Sequence, residues 1–135
     1  MELGTFGAVL TFAISFEQHL AASYRQMLAN APAALSGSLT QAAEAAAKRG
    51  KLLERVRREN VAEMILEPIR EFASEEYALA EVPGAGSAAD DFAGALRQAE
   101  QTAERFYTVG AQKLSIPEVK RIFERLAKEH ARLAA

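Results

Sequence analysis

A chain of 135 residues, half of them hydrophobic and a quarter charged, is long enough to bury a core of its own without staples, so one domain is expected over residues 1–135. A formal net charge of -2, with Lys and Arg dispersed among Glu, leaves no basic footprint and argues against a nucleic-acid partner. The lack of cysteine excludes disulfides, thiolate metal sites, iron–sulfur clusters and thiol catalysis, so any metal would have to rest on carboxylate and imidazole ligands.

The opening stretch MELGTFGAVLTFAIS is apolar but has no basic leader and no cleavage site, and Glu17 and His19 interrupt it. It is too short to cross a bilayer and reads as the start of a buried helix, so a cytoplasmic chain without membrane insertion is expected. Apolar residues recur at spacings of three and four throughout, which predicts an all-α protein built on four long helices. The first is capped by Gly4 or Thr5 and runs to about Ala29, where NAPA breaks it. A second begins at Ser36, Ser38 or Thr40 and continues through RRENVAEMILE, with Pro68 favouring its end.

The segment EPIREFASEEYALAEVPGAGS contains Pro68, Pro83, Gly84 and Gly86 and reads as a short helix within a long connection. A third helix is expected from about Asp90, whose carboxylate suits a helix N-terminus, to about Gly110. The fourth opens at Ser115, Pro117 and Glu118. Short loops after helices one and three give antiparallel hairpins. The long middle segment then crosses the bundle and leaves helices two and three parallel, an up-and-down bundle being the alternative.

The core seams contain polar residues. Helix one presents Leu10, Ala13, Glu17, Leu20, Tyr24 and Met27; helix three presents Ala89, Ala93, Leu96, Glu100, Ala103, Tyr107 and Gly110. Each pairs a glutamate with a tyrosine seven residues later, as in an internal duplication. Helix four presents Val119, Phe123, Leu126, His130 and Leu133, while His19 faces elsewhere. Helix two presents Leu39, Ala43, Ala46, Gly50, Leu53 and Arg57, whose small members leave either a close helix contact or a cavity. Burying two carboxyl groups and an imidazole costs several kcal/mol each, roughly, unless they are paired, hydrogen-bonded or bound to a cation.

On FEQHLAASY, AEQTAERFY and LAKEH, the chain resembles the ferritin-like superfamily, and within it the rubrerythrin-like proteins, over essentially its whole length. The resemblance implies a four-helix bundle with one glutamate on each of helices one and three and a Glu-x-x-His pair on each of helices two and four, around two irons. Glu17 and Glu100 match the single glutamates and His130 the second histidine. Ala127 stands where helix four should carry its glutamate, and Ala47 and Gly50 fall at about the expected pair on helix two. With three of six ligands missing there are no carboxylates to bridge two irons, and oxidase or peroxidase chemistry is not expected.

Two readings remain. In the first, the chain is a non-catalytic bundle with a degenerate di-iron site, a structural or protein-interaction subunit working as a homodimer or within a larger complex. Its acids are then neutralised by protonation, by the tyrosine hydroxyls, by His130, or by Lys48, Arg49 or Lys51. In the second, iron or another divalent metal is held by Glu17, Glu100 and His130, with water completing the shell and Glu44 or Glu129 moving in if the register is one residue out. The basic run Lys48 to Arg58, followed by Met64, Ile65 and Leu66, reads as a docking surface or, with Glu54 and Glu59 interspersed, as a solvated helix face. VPGAGSAADD lacks the lysine of a phosphate loop, and no nucleophile elbow accompanies the two histidines, which leaves hydrolase chemistry little support.

Overall fold

The computed structural model describes residues 1–63 and 68–135. Among the described residues the protein is all-helical, with four long helices: α1 (Phe6–Leu28), α2 (Ser36–Glu59), α3 (Ala89–Lys113) and α4 (Pro117–Ala134). They form a bundle in which α1 packs along α2 and α3 along α4. None is long and apolar enough to cross a membrane.

The ends follow from local chemistry. Thr5 caps α1, its Oγ1 accepting the Ala8 N–H at 3.0 Å, an arrangement that stabilises a helix by about 1 kcal/mol. No side chain caps α2; a short 3₁₀ turn, Ala33–Leu35, leads into it, and the Ser36 hydroxyl donates back to the Ala33 carbonyl at 2.8 Å. Asp91, one residue beyond the expected start of α3, accepts the Ala88 N–H at 3.1 Å. Pro117 occupies the first turn of α4, where its missing N–H costs nothing.

Two boundaries differ from expectation. Helix α2 stops at Glu59 instead of continuing into VAEMILE, because Asn60 leaves helical geometry and its side-chain amide takes the Val56 carbonyl at 2.8 Å. A short 3₁₀ turn, Val61–Glu63, follows, and the expected continuation through Met64, Ile65 and Leu66 lies outside the described residues. Helix α3 runs past Gly110 to Lys113, since Gly110 is a packing residue rather than a stop.

The connection ahead of α3 is held at both faces. Its backbone bonds the chain start, with the Leu3 N–H donating to Phe72 O at 2.7 Å and the Ile69 N–H to Gly4 O at 2.9 Å. Its buried rings join the core: Phe72 stacks on Phe106 of α3 at 5.4 Å, and Tyr77, in the 3₁₀ turn Ser74–Tyr77, meets the same ring edge-on at 5.3 Å. Phe12 and Phe16 of α1 and Phe123 of α4 also lie against Phe106, at 5.1 Å, 5.8 Å and 6.0 Å.

A Cβ on Gly110 would fall 2.8 Å from Cδ2 and Cε2 of Phe123, whose ring is completely buried and would have to shift. Gly110→Ala is therefore expected to cost about 1–3 kcal/mol through overpacking, despite the better helix propensity of alanine. At Gly50 the added carbon would sit 3.8 Å from Glu17 Cβ, ordinary contact, so Gly50→Ala should gain about 0.5–1 kcal/mol. Urea midpoints of the two variants should move in opposite directions; a neutral Gly110→Ala would show that the Phe123 ring yields.

Candidate functional site

All three acid and base residues expected on the seams are buried and meet in one place. Glu17 of α1, Glu100 of α3 and His130 of α4 are completely enclosed, as are Tyr24 and Tyr107. His130 lies between the carboxyl groups, its Nε2 at 2.9 Å from Glu17 Oε2 and its Nδ1 in a short contact with Glu100 Oε2. Of the basic candidates on α2, Arg49 turns inward, 3% exposed, and donates Nε–H to Glu17 Oε1 at 2.9 Å. Lys48 and Lys51 are exposed, as are His19 and Glu44, whereas Glu129 lies at the margin with its Oε1 3.7 Å from Arg49 Nη1.

The tyrosines pair crosswise. Tyr107 of α3 donates to Glu17 Oε2 at 2.6 Å, and Tyr24 of α1 donates to Glu100 Oε1 at 2.6 Å. Neither serves the glutamate of its own helix, because seven residues along a helix is about 10 Å, beyond the reach of either side chain. The Tyr107 ring also stacks flat on the His130 ring, 5.5 Å between centroids and 8° between planes.

The helices repeat this arrangement in register. Counted from the first residue of each helix, Glu17 and Glu100 are both twelfth, Tyr24 and Tyr107 both nineteenth, and Arg49 and His130 both fourteenth. The counterpart of His130 on α2 is thus Arg49, not Gly50, and the residues three before are Ala46 and Ala127, both buried. Of the expected pair on α2, Ala47 is half-buried and Gly50 buried, and Arg49, beside Gly50, is the residue that reaches the site. At Gly50 the helices leave room for a Cβ, which would stand in ordinary contact, 3.8 Å from Glu17 Cβ.

Other seam positions also changed. Leu133 is 43% exposed and Ala134 takes the buried position; Ala89 is exposed; Arg57 is half-buried, with its Nη1 at 3.4 Å from Thr11 Oγ1. Phe92 and Phe106, absent from the expected seam of α3, are fully buried because the apolar stripe of that helix is wider than one row.

Burial sets the electrostatics, and the partners answer it. Desolvation pushes the Glu17 carboxyl upward, but the His130 hydrogen bond and charge, Arg49 and the Tyr107 hydroxyl outweigh it and hold Glu17 below its ordinary value. Desolvation pulls His130 down, while its hydrogen bonds to Glu100 and Glu17 and the Glu17 charge raise it above the ordinary imidazole value. Burial, with the adjacent carboxylates, drives both Tyr107 and Tyr24 far above the usual phenol range, so both hydroxyls stay protonated donors. Arg49 is raised by Glu17 against the pull of burial.

Among the described residues, no group of three or more His, Asp or Glu side chains is placed to hold a metal ion. The donor directions explain this. The two nitrogens of His130 diverge toward different carboxyl groups, so no single point is shared by both acids and one ring nitrogen. Arg49 adds a permanent cation against Glu17. As arranged, the residues suit an ion-pair network and do not fit a divalent cation. Comparison with protein-family models, with curated proteins and with solved structures finds no match to this chain.

Proposed function

We propose that the chain is a ferritin-like, rubrerythrin-like bundle whose ancestral di-iron position has become a closed ion-pair network, and that it acts as a non-catalytic structural or protein-interaction subunit in the cytoplasm. The observation that carries this reading is Arg49. It stands in α2 at the position corresponding to His130 in α4, with Ala46 and Ala127 three residues earlier in place of the paired glutamates. Two acids then face one guanidinium and one imidazole, which satisfies the buried charge internally.

The antiparallel, one-crossover topology belongs to the same reading. Its support is the crosswise pairing, since Glu17 with Tyr107 and Tyr24 with Glu100 is the pattern of α1 and α3 running in opposite directions. Contacts of Gln18 with Glu54 and Thr11 with Arg57 support the same relation between α1 and α2.

Protein purified without chelator is expected to contain no stoichiometric metal and to take up none from added ferrous iron. Iron, manganese or zinc at a defined ratio, lost in Glu17→Ala, Glu100→Ala or His130→Ala, would instead establish those three residues as a reduced metal site. Native mass should show a homodimer or a larger assembly; a monomer at every concentration, with no partner recovered, counts against the subunit role.

A further inference from the structure

Arg49 has more donors than its bond to Glu17 uses. Nη1 and Nη2 are both buried and have no hydrogen-bond partner among the described residues. Glu129 Oε1, at 3.7 Å from Nη1, is within ion-pair range but beyond a hydrogen bond. Arg49 also lines a cavity of about 200 Å³ between α2 and α4, together with Lys48, Arg125, Glu129 and the small Ala45.

We propose that this cavity is a binding site for a small oxyanion, a phosphate or a carboxylate, held by the Nη1 and Nη2 fork of Arg49. The planar guanidinium presents paired donors that match two oxygens of one such group, which a lysine could not do. With Arg49 paired to Glu17, Lys48 and Arg125 against Glu129 still leave the cavity wall an excess of positive charge. Glu129 is the movable member. It is 33% exposed and already lies 3.8 Å from Arg125 Nε, so it can turn outward to Arg125 and admit the ligand, while Arg49 is anchored by Glu17.

The test is a titration of the full chain with sodium phosphate and, separately, with sodium acetate, each against sodium chloride at matched ionic strength. The readouts are the arginine side-chain nitrogen resonances and the melting temperature. A saturable shift of the Arg49 signals with a rise in Tm is expected for phosphate, acetate or both, and not for chloride; the comparison tells which oxyanion the site takes. Glu129→Gln should tighten binding about threefold and Arg125→Gln weaken it by a similar factor, the scale of a partly exposed charge contact. Ala45→Leu should abolish binding by filling the cavity without replacing a member of the buried network.

Phosphate and acetate behaving as chloride, or an affinity unchanged by Glu129→Gln and Arg125→Gln, would overturn the proposal. The site does not depend on the subunit role or on metal content, and its failure would leave both of those open to their own measurements.

Discussion

Glu17→Ala is expected to destabilise the protein by about 3–5 kcal/mol, the cost of removing one partner from a buried ion pair. The loss exceeds that of one contact because Glu17 accepts from Arg49, Tyr107 and His130 together. Without it, Arg49 loses its only hydrogen bond among the described residues while its guanidinium stays desolvated. A loss of that size is a large share of the ~5–15 kcal/mol by which a typical domain is stable. Glu17→Leu combined with Arg49→Met should recover part of it, since the charge and its counter-charge leave together and the volume is refilled, while Tyr107 and His130 still lack their acceptor. Urea unfolding of Glu17→Leu, of Arg49→Met and of the double variant gives the coupling directly. Additive losses would mean that Arg49 escapes to solvent once Glu17 is gone.

The second large effect is on the pH dependence of stability, because the network couples an acid lowered by its partners to an imidazole raised by its own. The Glu17 contribution is present above the ordinary carboxylate range and is lost as pH falls through its depressed folded value. The His130 contribution is present below the ordinary imidazole value of about 6.5 and is lost as pH rises through its elevated folded value. Both are therefore complete only in a mildly acidic window, roughly pH 5 to 6.5, where Tm should be highest. Tyr24 and Tyr107, raised by burial and by the facing carboxylates, add a further loss above about pH 10. His130→Gln should remove the decline between neutrality and pH 10 and also weaken the acid limb, since the His130 hydrogen bond and charge are the largest contributions holding Glu17 down. A wild-type Tm still flat across that alkaline range would show that the imidazole is buried neutral.

Much of this was legible in the residues. The period of three and four set α1 so well that Leu10, Ala13, Glu17, Leu20, Tyr24 and Met27 are all buried as expected. Glu17, Glu100 and His130 stood out because each is the one group on its apolar face that titrates in or near the range of an ordinary acid or imidazole. Helix α2 was harder for a physical reason. Ala42, Ala43, Ala46 and Gly50 are buried while Ala45 and Ala47 are half-buried, so small residues surround much of the helix and a shift by one position leaves its apolar pattern nearly unchanged. Arg49 was only one of three basic candidates there, and nothing local separated it from Lys48 or Lys51.

Phe72 illustrates the same limit in the connection. It follows Pro68 and precedes a run of polar residues, with no periodicity to mark it as core, yet it is completely buried on Phe106. Its burial depends on backbone bonds to Leu3 and Gly4, across more than sixty residues of chain.

By itself, then, the sequence determined the helices and the acid, imidazole and tyrosine that two of them and the last turn inward, since helical period and capping are properties of neighbouring residues. Tertiary structure alone decided which groups answer one another. Tyr24 crosses to Glu100, Tyr107 crosses to Glu17, and Arg49 closes on Glu17, because groups too far apart along one helix are brought within 3 Å only when separate helices pack.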